Sequence, residues 1–336
     1  MNKEEIQLLF NKFNQLNVLI IGDVMVDAYL VGKVARISPE APVPIVSVNS
    51  REHRLGGAAN VGLNIRSLGA KAFLCSVIGE DERGKIFLDL LKKRNLTDEG
   101  ILVSRKRKTT VKTRVISQHQ HLLRVDDEID AALHKELENM LYEKIQKIIA
   151  HHHIHAVIFQ DYDKGAITPF VIKKTVVLAR EKNIPVLVDP KKRNFHNYQG
   201  VTLFKPNFKE LTEGLKTEVS KTDFEKIDKI AKTFLEKHQI QSLLITLSEQ
   251  GLLYSDQTQY HHIPAQIRDI SDVSGAGDTV VSVASLCLAA GTAPDNTAAI
   301  ANISGGLVCE KVGVVPVDKN RLFQETIKYF EKKSVY

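Results

Sequence analysis

Short apolar runs rich in β-branched residues alternate along the chain with longer stretches whose apolar positions recur every three to four residues, and many of the short runs end on a polar side chain. Residues 17–21 lead into Gly22-Asp23, 156–159 into Gln160-Asp161, 185–188 into Asp189, 201–204 into Lys205-Pro206-Asn207, and 242–245 into Thr246. A strand that is apolar at every position is covered on both faces. The pattern therefore predicts an α/β fold with a doubly wound, mostly parallel central sheet flanked by helices. Helices are expected over 57–68, 82–93, 131–149, 169–182, 208–215, 223–238 and 297–309, with another of small apolar residues over 280–291. In such sheets the ligand crevice opens beyond the carboxyl ends of the strands, so Asp23, Asp161, Asp189, Asn207 and Thr246 are expected to crowd toward one site.

Two segments break this rhythm. Residues 29–54 and 109–125 contain stretches such as Ile45-Val46-Ser47-Val48 and Thr110-Val111-Lys112-Thr113-Arg114-Val115-Ile116, which read as strands with one polar face. They are expected to pair into a small β-sheet lid over the crevice, inserted in a single domain spanning 1–336; edge extensions of the main sheet are the alternative. A sheet of two to four strands has one face that its own domain does not bury, which predicts a homodimer formed through the lid.

Composition fits this picture. With 336 residues, 43% hydrophobic and 26% charged, the chain has the make-up of a soluble globular protein. No apolar run approaches the roughly 20 residues that span a bilayer, and Met1-Asn2-Lys3-Glu4-Glu5 lacks a signal-peptide pattern, so no membrane partner and a cytoplasmic location are expected. Cys75, Cys287 and Cys309 are scattered without metal-ligand spacing and read as core residues. The net charge of +6 has local runs at 105–108 and 191–193, the first without interleaved aromatic residues, so an anionic small molecule is expected rather than nucleic acid. The histidines at 151, 152, 153 and 155 read as the polar end of a helix.

Two glycine-rich turns carry candidate chemistry. In Asp272-Val273-Ser274-Gly275-Ala276-Gly277-Asp278-Thr279, glycines let backbone N–H groups approach a charged ligand at a helix N-terminus, and Asp278 falls in the first turn. A carboxylate among such donors suits deprotonation of a hydroxyl that attacks phosphate better than the mere holding of phosphate. Leu55-Gly56-Gly57-Ala58-Ala59-Asn60 opens a second helix of small residues, with Asn60 able to donate to and accept from hydroxyls. Either turn alone also reads as ordinary helix punctuation. The pair is more specific.

Together these two segments resemble the two signatures of the PfkB/ribokinase family of carbohydrate kinases, and the likeness runs from Val18 to Val317. Asn207-Phe208-Lys209-Glu210 resembles the family's N-x-x-E element, which arranges magnesium and its waters around the ATP phosphates. Thr246-Leu247-Ser248-Glu249-Gln250-Gly251 resembles the T-x-G-x-x-G segment bordering the nucleotide, with Ser248 in place of the usual glycine. Within the family, Gly22-Asp23-Val24-Met25-Val26-Asp27, Leu123-Arg124-Val125-Asp126, Asp161-Tyr162-Asp163-Lys164-Gly165 and Val188-Asp189-Pro190-Lys191 look like the kinase halves of bacterial ADP-heptose synthases.

The resemblance implies a ribokinase-like fold and transfer of phosphate from ATP, with Mg²⁺, to the anomeric hydroxyl of D-glycero-β-D-manno-heptose 7-phosphate. It implies Asp278 as the base and the backbone of Gly275, Ala276 and Gly277 as stabilisers of the moving phosphoryl group. Asp23, Asp27, Gly56, Gly57 and Asn60 would contact sugar hydroxyls, and Arg124 and Lys164 a sugar phosphate. Lys191, Asn207, Thr246, Ser248, Gly251, Gly275, Gly277 and Asn302 would border ATP, with Mg²⁺ held through water at Asn207 and Glu210. Since the sequence stops at Tyr336, the nucleotidyltransferase step of the pathway is expected on a separate polypeptide. The alternatives are another sugar kinase of the family, of ribokinase, fructokinase or phosphofructokinase type, or a catalytically silent sugar- or nucleotide-sensing protein.

Overall fold

The structure, a computed structural model, describes residues 1–118 and 120–334. Its first half runs α1 (Lys3–Lys12), β1 (Asn17–Gly22), β2 (Val24–Ile37), β3 (Pro44–Gly57), α2 (Ala58–Ser67), β4 (Lys71–Gly79), α3 (Glu82–Lys93), β5 (Thr97–Ser104), β6 (Val111–Ser117), β7 (Gln120–Asp127) and α4 (Lys135–His151). The second half runs β8 (Ala156–Gln160), α5 (Pro169–Glu181), β9 (Val186–Asp189), β10 (Leu203–Phe204), α6 (Phe208–Leu215), α7 (Phe224–His238) and β11 (Ser242–Thr246). It ends with β12 (Leu252–Asp256), β13 (Tyr260–Ile263), α8 (Ala276–Ala289), α9 (Pro294–Cys309) and α10 (Lys319–Ser334). No described helix is long and apolar enough to cross a membrane.

The main sheet has the order β13-β12-β11-β10-β9-β8-β1-β4-β5, parallel from β5 to β11, with β12 and β13 added antiparallel at one edge. Alternation along β1 shows why its run is apolar throughout. Val18 and Ile20 join the core layer of α2, α8 and α9, while Leu19 and Ile21 join the opposite layer of α4, α5 and α7. Each face of a central strand thus needs an apolar side chain.

The segments expected to form a lid make a separate sheet of order β3-β2-β6-β7, rather than edge extensions of the main one. β2 pairs antiparallel with β3 and parallel with β6, and β6 pairs antiparallel with β7. Only Asp23 separates β1 from β2, so the chain passes directly from one sheet into the other. This places the base of the small sheet at the carboxyl ends of the parallel strands.

Candidate active site

Two helix starts converge where β1 and β8 end. α8 begins four residues earlier than its apolar run over 280–291 suggested, inside the glycine turn: Gly275 is its N-cap at φ +81°, and Asp278 lies buried in the first turn. A Cβ at Gly275 would stand 3.1 Å from Asn60 Nδ2, so this glycine supplies a left-handed bend and leaves room for the asparagine. Gly57, at φ +60°, starts α2 where a Cβ would come within 2.4 Å of the Asp23 carbonyl. The two turns bring Asn60 Nδ2 to 2.7 Å from Asp278 Oδ2.

The other carboxylate oxygen is held from the opposite side. Gln160, the last residue of β8, donates to Asp278 Oδ1 at 3.1 Å, and the phenol of Tyr162 donates to the same oxygen at 2.7 Å. Burial pushes the Asp278 carboxyl up to about 6, against the pull of the Asn60 hydrogen bond and with a further push from the nearby Asp189 carboxylate. Burial also raises the Tyr162 phenol well above its ordinary value, and the Asp278 carboxylate adds to it. Tyr162 is therefore a donor over any physiological range. Asp278 combines burial with neutral donors and a pKa suited to accepting a proton near neutrality.

Beyond Asp278 a cavity of about 480 Å³ is lined by Asp189, Lys191, Lys205, Asn207, Thr246 and Ser248 among others. Asp189 Oδ2 receives Gln160 Nε2 at 3.2 Å and Lys205 Nζ at 3.0 Å. Its Oδ1 is buried without a hydrogen-bond partner, with Lys191 Nζ 4.0 Å away as an electrostatic neighbour only. Lys191 is ion-paired with Glu210, and although burial disfavours its charge, Asp189 and Glu210 raise its pKa. Asn207 caps α6 in a reciprocal capping box with Glu210, both contacts being 2.8 Å. Ser248 takes the left-handed conformation at φ +54°, as a glycine would, and so keeps the shape of the turn.

These residues fit a nucleotide with its metal. Four lysines, Lys191, Lys205, Lys209 and Lys221, and the N-termini of α6 and α8 border one cavity, as polyanionic phosphates require. Among the described residues no group of three or more His, Cys, Asp or Glu could cage a metal ion. Asn207 and Glu210, at the rim of the cavity, are the residues that would stand near the waters of a magnesium ion brought in on phosphates.

On the acceptor side Asp27 is buried and accepts from Arg114 Nη1 at 2.6 Å, and Gly56 leaves the space that its other oxygen fills. Asp23 departs from the expected role. Its carboxylate is consumed by the amides of Tyr162 (2.9 Å), Lys164 (3.0 Å) and Ala166 (2.9 Å), so it shapes the loop after β8 instead of facing a sugar. Arg124 is exposed on β7 and paired with Asp126, and Lys164 is paired with Glu128. Gly251 serves a turn in which a Cβ would meet the Ile263 carbonyl at 2.1 Å, and Asn302 donates to the Pro264 carbonyl at 2.9 Å.

The pfkB family carbohydrate kinase profile matches residues 15–320. The chain belongs to that family. As a pfkB carbohydrate kinase it is 39% identical over 318 residues to the bifunctional protein HldE of Pelobacter propionicus, covering 94% of this chain and 64% of that protein. It is 38% identical over 300 residues to the bifunctional protein HldE of Helicobacter pylori, covering 88% and 63%. The chain thus spans a little under two thirds of the curated relatives it matches. Among solved structures it is similar to Escherichia coli phosphofructokinase-2 in complex with fructose-6-phosphate, with TM-score 0.75, 18% identity, and 94% and 99% of the two chains covered. It is also similar to Arabidopsis thaliana ribokinase complexed with ribose and ATP, with TM-score 0.70, 14% identity, and 93% and 98% covered. At these identities the likeness is one of fold.

Tyr162, Gln160, Lys205 and Arg114 were not singled out from the pfkB motifs. The one signal for the first three is position, since each lies at or just beyond the end of a parallel strand. Arg114 had only its place in an alternating strand.

Proposed function

We propose that the chain phosphorylates the anomeric hydroxyl of D-glycero-β-D-manno-heptose 7-phosphate with ATP, giving the 1,7-bisphosphate of ADP-heptose synthesis. The reaction class rests on Asp278, a buried carboxylate of raised pKa among neutral donors at a helix start. The sugar rests on the likeness to HldE proteins over most of this chain. The reading makes residues 1–336 one kinase unit lidded by the small sheet, working in the cytoplasm as a homodimer.

Asp278 accepts the proton of the attacking hydroxyl while Asn60, Gln160 and Tyr162 fix the carboxylate in place. Backbone N–H groups of 275–277 face the charge that develops on the transferring phosphoryl group, and Lys191 and Lys205 border its path. When bound, magnesium neutralises charge on the ATP phosphates. Asp27 and Asn60 orient the sugar, and the Asp23-bound loop keeps Tyr162 against the base.

The test is a side-by-side assay of heptose 7-phosphate, heptose, fructose 6-phosphate, fructose and ribose with ATP, locating the product phosphate by phosphorus NMR. Heptose 7-phosphate is expected to give the highest kcat/KM, with the new phosphate on C1. A higher value for fructose 6-phosphate, fructose or ribose assigns a different sugar and leaves the kinase chemistry standing; no turnover of any sugar, with ATP still bound, points to a sensing protein.

A further inference from the structure

The basic run at 105–108 lies between β5 and β6, and its cations meet different partners. Arg105 pairs with Glu80, Lys106 with Glu136 and Lys108 with Asp127, all through exposed side chains. Surface pairs of this kind contribute little. Arg107 turns inward instead and bonds to no carboxylate: Nη1 donates to the Ala131 carbonyl at 2.6 Å and Nη2 to the Lys164 carbonyl at 2.5 Å. Its Nε is buried without a partner. A guanidinium placed this way gives up hydration that the exposed members of the run keep.

Ala131 lies on the chain leaving β7 of the small sheet, and Lys164 lies in the loop after β8. The two segments are joined again where the Leu133 amide donates to the Gly165 carbonyl at 3.1 Å, and where Lys164 Nζ meets Glu128, whose carboxylate also takes Lys112 of β6. Gly165, at φ +86°, lets them touch: a Cβ there would stand 2.1 Å from the Ala131 carbonyl. The loop is thus gripped through both kinds of backbone group. Asp23 takes the amides of Tyr162, Lys164 and Ala166, and Arg107 takes the carbonyl of Lys164. Burial disfavours charge on both Asp23 and Arg107, while each favours the charge of the other.

Tyr162 carries this grip to the base. Its amide is one of the three on Asp23, and its phenol donates to Asp278 Oδ1 at 2.7 Å. The other groups around Asp278 are the neutral donors Asn60 of α2 and Gln160 of β8, and the charged Asp189 at the end of β9, Lys205 after β10 and Lys191. Arg107 bonds to none of these. A change at 107 therefore reaches Asp278 through the loop and its tyrosine.

We propose that Arg107 is a positioning residue for the base: by holding the chain that leaves the small sheet against the loop after β8, it keeps the Tyr162 phenol on Asp278. The inference rests on the kinase reading above for the role of Asp278. One rigid fork spans two carbonyls on separate segments, a geometry that the single ammonium of a lysine does not reproduce.

The experiment follows the pH dependence of kcat/KM, for the sugar that is turned over, in the wild type, Arg107→Lys, Arg107→Gln, Tyr162→Phe and the double variant Arg107→Lys/Tyr162→Phe. In parallel, the carboxyl-carbon titration of Asp278, assigned by its absence in Asp278→Asn, is recorded by NMR. Losing a donor to the charged carboxylate raises its pKa, so each Arg107 variant is expected to move the acid limb and the titration upward by about half to one pH unit, with no further shift once Tyr162 is Phe. Removing a cation also raises a carboxyl pKa, so the charge-keeping lysine variant decides, and it serves equally where the glutamine variant fails to fold. A limb and titration that stay in place in Arg107→Lys, even with a lower kcat, reduce Arg107 to packing and overturn the proposal. An equal shift in the Tyr162→Phe background overturns it too, since the effect then bypasses the phenol. A Tyr162-dependent NMR shift in a protein that turns over no sugar upholds the link and removes the kinase reading instead.

Discussion

Asn60 and Asp278 are 218 positions apart in the chain, yet the amide of one donates to the carboxylate of the other at 2.7 Å. The contact ties the first turn of α2 to the first turn of α8, so the two glycine signatures act as one device. A neutral donor here stabilises the ionised carboxylate and draws its pKa down, but burial outweighs that pull and leaves the group basic enough to take a proton near neutrality.

Replacement of Asp278 by Asn is expected to lower kcat by ~10²–10⁴ while ATP binding changes little. The same variant is expected to melt higher at pH 8. The folded-state pKa of Asp278 is raised to about 6 from an ordinary 3.8, so its ionised form is disfavoured in the fold, and the stability present below the ordinary value is lost as pH rises through about 6. Asn removes that cost, and a rise in Tm of roughly 2–4 °C is the expected size. Calorimetry at pH 8 and pH 4.5 checks the sign: the gain should shrink at the lower pH.

Activity should fall on the acid side as Asp278 becomes protonated, with the limb of kcat/KM near pH 6 in the free enzyme. The Tyr162 phenol donates to the charged form, so Tyr162→Phe is expected to move this limb upward by about one pH unit, beyond any drop in kcat. A pH–rate profile of the two proteins decides it. An unmoved limb in the variant would remove Tyr162 from the control of the base.

Glu210 serves both the cap of α6 and the ion pair with Lys191. Glu210→Gln keeps an acceptor for the cap but releases Lys191 and, on the proposed function, would weaken the hold on the waters of ATP-bound magnesium. The apparent KM for MgATP is expected to rise about tenfold, with sugar KM nearly constant. Titration of magnesium at fixed ATP measures this directly, and equal rises in both KM values would point to a general loss of structure.

β7 exposes Leu123 and Val125, the neighbours in sequence of Arg124 but on the opposite face of the sheet. If a second copy covers this face, Leu123→Glu is expected to convert a dimer into a monomer with little change in melting temperature of the isolated subunit. Light scattering at micromolar concentration reports the state, and a monomeric wild type would end the dimer proposal.

The parallel sheet was legible because doubly buried strands leave an unbroken apolar run, and α3 and α6 fall at the expected residues. β12 and β13 were not, because the short antiparallel strand Leu252–Asp256 and the edge strand Tyr260–Ile263 mix polar and apolar positions over four or five residues. α1 and α10 wrap the outside, and only the Asn2–Glu5 capping box marks the first. In the site, glycines and Asp278 were readable from motif, whereas Tyr162 acts through a contact from the loop after β8 to α8, and Arg114 through one from β6 to β2, which no local pattern encodes. Asp23 looked like a ligand because it ends a strand at the crevice. Its oxygens are spent on backbone amides.

That use of Asp23 has a mechanical side. The residue is the single link between β1 and β2, and hydrogen bonds from three backbone amides clamp it to the loop carrying Tyr162. The small sheet is thus a lever welded at its root. Any closing stroke must come from flexing of the long outer strands past Tyr29, where β2 and β3 slip register at Val31/Gly32. Asp27 and Arg114, on the root side of that slip, would then travel little while the outer ends of β2 and β3 beyond Gly32 travel far, so the sheet can flex without disturbing the alignment of the reacting oxygen.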